Sequence, residues 1–486
     1  MHIAHSCFRC LTSFLICIVW TQCQAGEPQP NILLILADDM GYGDLGCLGS
    51  QKLKTPNIDA LRKSGVLCSQ AYVTSSVCSP SRAGLITGRD PRRFGYEGNL
   101  NATADHYATR PELLGLPPGE HTLGDHLRAA GYSTALVGKW HLGTGKGFHP
   151  NERGFDDFCG MLVGSHSYFP KPNKHRIESN GQAVTRFSSN YLTDFFSDQA
   201  VSWIQRQEKN DDERPWFLFL SYNAPHGPMH ATDEDLALFK NIKDPKRQKY
   251  AAMMFAMDRG VGRVIQTLKD KGEYENTLIC FFSDNGGATN NASWNGPLSG
   301  TKGNLREGGI RVPMIWSYPG KFPGNQLCQG IVSSLDLLPT FLAAAQSKPL
   351  PLSPPRSHED QNNRKRYIAQ YGSYDGINLL DSLAGKKEIP PRNLFFRLQG
   401  QKSVIRGNVK LISLAHRLPQ LFHPGQDPGE TNDLILKQRS KANELFERLG
   451  DWESMLPTVP LWGSSPFWSG QSAKGYDAFP VRGEPQ

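Results

Sequence analysis

Continuous apolar runs that close on polar residues set the rhythm of this chain. Asn31–Ala37 leads into Asp38-Asp39-Met40-Gly41, Pro215–Leu220 is followed by Asn223-Ala224-Pro225-His226, and Thr277–Phe282 is followed by Asp284-Asn285-Gly286-Gly287. Apolar runs of this length without polar alternation predict strands buried on both faces, as in a parallel sheet. Helical patterns lie between them. Thr55 as N-cap with Pro56 in the first turn opens one helix, a second spans His121–Arg128 and closes near Gly131 before a strand at Ser133–Val137, and a long one spans Tyr250–Lys271. Strands alternating with helices predict an α/β fold, a large mostly parallel mixed sheet flanked by helices, with ligands at the carboxyl edge.

The pattern changes after a helix start at Asp336. A stretch rich in proline and charge from Lys348 to Arg366 reads as a linker. Beyond it, Asn393–Leu398 and Ser403–Ile412 read as antiparallel strands, the second pair turning at Gly407-Asn408, and a helix spans Lys437–Met455. This predicts a smaller α+β C-terminal domain with an antiparallel sheet and an irregular tail from Pro457. At the other end, Arg9 precedes the apolar run Leu11–Trp20, with a cleavage site near Ala25, the layout of a secretory signal peptide. The expected division is 1–25 signal peptide, 26–365 main α/β domain and 366–486 C-terminal α+β subdomain with the irregular tail.

Composition narrows the classes. With 38% hydrophobic and 20% charged residues, the chain is neither disordered, fibrous nor a multi-span membrane protein. The net charge of +7 is spread without a basic block, which excludes a nucleic-acid footprint. No run reaches the ~20 residues of a membrane span, so export without stable membrane insertion is expected. Six cysteines follow the leader, at 47, 68, 78, 159, 280 and 328. They are too scattered for a disulfide scaffold or a zinc ribbon, and their pairing is left open.

The chemistry concentrates at a few places. In Cys78-Ser79-Pro80-Ser81-Arg82, Pro80 suits a helix first turn, which puts Cys78 where backbone N–H groups favour an anion. A cysteine there is either a reactive thiol or a small buried filler. Asp38, Asp39, Asp284 and Asn285 offer hard oxygen donors at two strand ends, suited to Ca²⁺ or Mg²⁺ over zinc. Lys139 and His141 are two apart and share a face if their strand continues. Arg82, one turn after Cys78, can reach back to those carboxylates.

The stretch from Cys78 to Arg82, continued by Leu85-Ile86-Thr87-Gly88-Arg89, resembles the C-x-P-x-R signature of type I sulfatases, arylsulfatase-like members of the alkaline phosphatase superfamily. Further motifs match in order: Asp38-Asp39-Met40-Gly41-Tyr42-Gly43-Asp44, Thr55-Pro56-Asn57-Ile58-Asp59, Gly138-Lys139-Trp140-His141, Arg153-Gly154-Phe155-Asp156, Ala224-Pro225-His226, Ser283-Asp284-Asn285-Gly286-Gly287 and Gly300-Thr301-Lys302-Gly303. The similarity runs from about Asn31 to Asp427–Leu434. It implies an exported sulfuric ester hydrolase in which a maturation enzyme converts Cys78 to formylglycine (3-oxoalanine). One divalent cation, calcium foremost and magnesium as the alternative, is implied at Asp38, Asp39, residue 78, Asp284 and Asn285.

The resemblance also assigns roles. One hydroxyl of the hydrated formylglycine attacks sulfur, a sulfated intermediate forms at residue 78, and the second hydroxyl expels sulfate with His141 as base. Lys139, Lys302 and Arg82 balance oxygen charge, and His226 protonates the leaving alcohol. The implied substrate is a sulfated carbohydrate, a glycosaminoglycan or algal polysaccharide, with small aryl sulfates as surrogates. The implied location is periplasmic or secreted in a bacterium, or alternatively lysosomal or secreted in a eukaryote, in which case Asn101 and Asn291 are glycosylation sequons. Gly164–Phe169 reads as a substrate-rim loop or an ordinary loop. The competing readings are a phosphodiester or phosphonate hydrolase on the same fold, and an inactive polysaccharide-binding homologue.

Overall fold

The seven residues Asn31–Ala37 form β1, a central strand of a ten-stranded sheet. The computed structural model describes residues 28–100, 115–171, 175–207, 214–352, 373–457, 481 and 483–485. The other sheet strands are β2 (Val66–Tyr72), β3 (Ser133–Lys139), β4 (Asp157–Met161), β5 (Ile177–Ser179), β6 (Gln182–Ala183), β7 (Trp216–Ser221), β8 (Thr277–Ser283), β9 (Arg311–Ser317) and β10 (Gln326–Ser333), ordered β10-β2-β9-β8-β1-β7-β3-β4-β5-β6. β8, β1, β7, β3 and β4 are mutually parallel, so their carboxyl ends share one edge. β9 runs antiparallel to β8 and β2 and returns β2 to the common direction.

Alternate residues of β1 enter two cores. Ile32, Leu34 and Leu36 pack with Leu85, Leu123 and Phe341, whereas Leu33, Ile35 and Ala37 pack with Ile58, Phe196 and Met257. The partners come from helices on both faces: α1 (Pro56–Lys63), α2 (Cys78–Thr87), α3 (Leu123–Ala129), α4 (Leu192–Gln207), α5 (Pro245–Asp270) and α6 (Leu337–Ala344). With both faces covered, no polar alternation survives in the central strands.

A separate antiparallel sheet holds β11 (Asn393–Leu398), β12 (Gln401–Arg406), β13 (Val409–Leu414) and β14 (Gln420–Phe422), with β12 and β13 turning at Gly407-Asn408 as expected. Helix α7 (Arg439–Ser454) covers it through Leu445, Leu449 and Trp452. Leu394, Phe396 and Ile405 join Tyr72, Val77 and Leu305 in a cluster that binds this sheet to the large one. Beside that cluster Lys410 bridges buried Glu307 and Glu430 at 2.8 and 2.9 Å.

Several expectations need adjustment. Thr55 occupies the N-cap position without capping; its hydroxyl instead meets Gly46 N–H and Asp59. Helix α5 starts earlier than Tyr250 because Asp244 caps the N–H groups of Lys246 and Arg247. The leader, most of the linker with its boundary at 365, Asn101 and most of the tail lie outside the described residues. Among the described residues no helix is long and apolar enough to cross a membrane, and all six cysteines are free.

Candidate active site at the carboxyl edge

Five parallel-direction strands deliver side chains to one place. Asp38 and Asp39 follow β1, Lys139 ends β3, His226 follows β7, Asp284 and Asn285 follow β8, and β2 leads to Cys78 at the start of α2. Short backbone bonds hold these ends in register: Asp38 N–H donates to Ala224 O and Asp284 N–H to Ala37 O, both at 3.0 Å. Asp39 has φ 65°, a left-handed conformation rare for a non-glycine residue and characteristic of functional turns. Its carbonyl and that of Pro225 both accept from Asn291 Nδ2, at 3.1 and 3.2 Å.

The charged groups interlock. Lys139 Nζ lies 2.6 Å from Asp38 Oδ2, Lys302 Nζ lies 2.8 Å from Asp39 Oδ2 and 3.1 Å from Cys78 Sγ, and Arg82 Nε lies 2.8 Å from Asp284 Oδ2. Cys78 Sγ approaches Asp38 Oδ1 at 3.4 Å and Asp39 Oδ1 at 3.8 Å. All of these side chains are buried. Arg82 also donates to Ser221 Oγ and Lys139 O, at 2.7 and 3.0 Å. Its fork is thus turned toward β3, β7 and β8, tying three strand ends together.

Burial pushes the Cys78 thiol far up, and the nearby Lys139 and Lys302 do not reverse this, which weakens the unmodified residue as a nucleophile. Burial also opposes ionisation of Asp39, but Lys302, His226 and Asn285 overcome it and hold the carboxyl well below its usual range. Asp284 is pushed up to about 6 by burial and by Asp38, despite Arg82 and Lys139. Burial and the surrounding cations keep His141 neutral. His226 is lowered to about 4 by burial, Asp39 opposing and Lys302 and Lys139 assisting.

Cation chemistry fits this arrangement. Asn285 Nδ2 donates to Asp39 Oδ1 at 2.7 Å, leaving Asn285 Oδ1 buried without a hydrogen-bond partner. Such an orphaned acceptor among crowded carboxylates is what a hard cation satisfies, once the amide turns its oxygen toward them. Ligand atoms of Asp38, Asp39, Cys78 and His226 all lie within 4.8 Å of one another. Three carboxylates already face Arg82, Lys139 and Lys302, so a divalent cation would leave the pocket net positive and receptive to an anionic ester.

The two histidines are placed by different means. β3 stops at Lys139, so strand alternation does not align His141 with it; His141 reaches the cluster in a left-handed conformation, φ 62°. Ser79 Oγ donates to His141 O at 2.8 Å, and a Cβ on Gly164 would come within 2.6 Å of the ring. His226 Nε2 stands 3.5 Å from Asp39 Oδ2 while Nδ1 meets Gly227 O at 2.5 Å. Tyr168 OH donates to His226 O at 2.8 Å, so the Gly164–Phe169 loop does border the site.

Every catalytic and metal candidate from the sequence therefore converges here. Arg153 does not; it ties Leu116 O and Glu120 O together at 2.7 and 2.6 Å. Ser79, Ser221 and Asn291 had no assigned place at the site. Asn291 is fully buried, which removes it as a glycan acceptor in the folded protein. Its Asn-Ala-Ser pattern gave no hint of this positioning role.

The sulfatase family model matches residues 30–347. The chain belongs to the sulfatase family. Human N-acetylgalactosamine-6-sulfatase is 31% identical over 457 residues, covering 84% of this chain and 82% of that protein. Human arylsulfatase A is 30% identical, covering 92% and 91%. The structure of Ps i-CgsB in complex with k-i-k-neocarrahexaose matches with a TM-score of 0.80 at 33% identity, covering 92% of this chain and 97% of that one. This sulfatase is accordingly a sulfuric ester hydrolase with an alkaline phosphatase-type layout of mixed sheet and appended small sheet.

Proposed function

We propose that this sulfatase is exported and releases inorganic sulfate from a sulfated carbohydrate, with residue 78 acting after conversion to formylglycine. The observation that carries the reading is the buried convergence of Cys78 with Asp38, Asp39, Lys139 and Lys302. Burial disfavours the thiolate there, which weakens an unmodified cysteine as a nucleophile. Formylglycine at this position supplies a hydrated aldehyde with two hydroxyls, one to attack sulfur and one to drive sulfate out. A Ca²⁺ or Mg²⁺ ion held by Asp38, Asp39, Asp284, Asn285 and residue 78 supplies Lewis acidity toward sulfate oxygen.

The remaining work falls to the chain's own groups. Lys139 and Lys302 hold the ester's oxygens and stabilise their growing charge. His141, kept neutral by its surroundings, takes a proton from residue 78. His226 delivers a proton to the leaving oxygen; its low free-state pKa of about 4 rises when the anionic ester settles beside it. Arg82 positions Asp284, Ser221 and the Lys139 carbonyl and adds positive charge beside the ester's oxygens.

The carbohydrate assignment is supported by relatives: one is named N-acetylgalactosamine-6-sulfatase and one was solved with k-i-k-neocarrahexaose. Sulfate release from sulfated oligosaccharides and an aryl sulfate, measured beside release from matched phosphate and phosphonate esters, tests it. Sulfate release that is lost in Cys78→Ala and suppressed by a chelator is expected. Preference for the phosphorus esters, or undiminished turnover by Cys78→Ala, would overturn it.

A further inference from the structure

Away from the catalytic cluster lies a pair of sulfur groups that sulfate chemistry does not use. Cys68 on β2 and Cys328 on β10 are direct register partners in a parallel ladder. Neighbouring strands run about 4.8 Å apart, inside the separation of about 4.4–6.8 Å that a disulfide's Cα atoms span. Each thiol shifts the ionisation of the other, as expected of side chains on the same face of the ladder. No other strand cysteine is so placed among the described residues: Cys159 pairs with Val137 and Ser179, and Cys280 with Leu34 and Trp316.

The environments of the pair differ in a useful way. Cys68 is fully buried, whereas Cys328 is half-buried on an edge strand and lines a cavity of about 410 Å³ with Gln329, Gly330, Lys387 and Glu388. The register also shifts between Cys328 and Ile331, so the edge strand is irregular beside the pair and has room to adjust.

We propose that Cys68 and Cys328 form a thiol–disulfide exchange site that takes a small-molecule disulfide, with Cys328 attacking from the cavity and Cys68 resolving. With oxidised glutathione, Cys328 thiolate attacks one sulfur, breaks the glutathione S–S bond and releases one glutathione thiolate. The Cys68 thiol passes its proton to that thiolate, attacks the Cys328 sulfur and releases the second glutathione. Two protein thiols lose two electrons, and one glutathione disulfide becomes two thiols.

The electrostatics agree with these roles. The neighbouring Cys68 thiol brings Cys328 down to about 7, burial and Asp336 opposing and Gly330 N–H assisting. The same pairing, together with burial, pushes Cys68 well up. The accessible sulfur is thus poised as thiolate near neutral pH, the condition for efficient attack. The product closes a loop of about 260 residues and staples the edge strand to β2, the strand that leads to Cys78.

The test is a peptide map of the purified protein after incubation with oxidised glutathione and blocking of free thiols. A linked pair of peptides carrying Cys68 and Cys328, about 2 Da lighter than their sum and released by reductant, is expected. Cys68→Ser should stop at a glutathione adduct on Cys328, and Cys328→Ser should give neither product. Oxidation should raise the melting midpoint of the wild type only. Free Cys68 and Cys328 in the oxidised wild type, or glutathione on Cys47 instead, would overturn the proposal. The wild-type map decides even where a variant folds poorly.

Discussion

Replacing Lys302 with methionine removes one cation from the centre of the cluster while keeping an unbranched side chain. Lys302 Nζ sits 2.8 Å from Asp39 Oδ2 and 3.1 Å from Cys78 Sγ, and burial fails to neutralise it because Asp39, Cys78 and Asp38 hold its pKa up. Two separable losses are expected. Removing one partner of a buried charge pair costs about 3–5 kcal/mol of stability, since Asp39 is left with Asn285, Cys78 and His226 but no permanent cation beside it. Removing a donor aimed at developing oxygen charge costs about 10²–10³ in kcat/KM, roughly 2.7–4 kcal/mol. The first loss comes from unbalanced negative charge, so saturating Ca²⁺ should restore much of the melting temperature. The second should persist, because calcium balances the carboxylates without replacing the N–H donors of Nζ. Thermal melts with calcium or EDTA, beside aryl sulfate turnover, read both. A kcat/KM within about threefold of wild type, under 1 kcal/mol, would refute the transition-state role. Equal destabilisation with and without calcium would refute the charge-balance argument.

Gly164→Ala puts a Cβ 2.6 Å from the His141 ring; displacing that base should lower kcat by about 10² with little change in melting, and an unchanged kcat would count against His141. Lys410→Met leaves Glu307 and Glu430 facing each other in a buried site and should cost about 3–5 kcal/mol in urea unfolding; a loss below about 1 kcal/mol would contradict the clamp. His126 is lowered to about 3 by burial, with His121 assisting, while the unfolded chain titrates near 6.5. The folded pKa lies below the unfolded one, so this contribution is complete above pH 6.5 and falls as pH drops toward 3. Each unit in that window costs about 1.4 kcal/mol. His126→Gln should flatten unfolding stability between pH 7 and 5, and parallel wild-type and variant curves would refute this.

The strand ends that carry the site were legible because β1, β7 and β8 are buried on both faces and so read as unbroken apolar runs. β2 escaped notice because Ser69 and Gln70, half-buried at its middle, break the run. β9 opens with Arg311 and contains Pro313, and its antiparallel direction is settled by tertiary pairing, which leaves no local trace. The oxygen donors at the two strand ends could be read from the sequence, and in the fold they lie side by side. The placement of His141 did not follow from spacing, since a left-handed residue after the end of β3 overrides strand alternation. Asn291 and Ser221 were invisible for another reason: each acts through a bond to a residue far away in sequence, Asp39 and Arg82 respectively. The same distance hid the grip of the small sheet on the Lys302 loop, where Gln401 holds Gly303 O and Leu305 N–H at 2.9 and 3.0 Å.

The central claim is that residue 78 works as formylglycine. Its direct test is the mass of the tryptic peptide Ser64–Arg82, after reduction and alkylation, from protein that is releasing sulfate. The account predicts a residue 78 that resists alkylation and is about 18 Da lighter than cysteine, or its hydrate. Full sulfate turnover from protein in which residue 78 carries only an alkylatable thiol would contradict it.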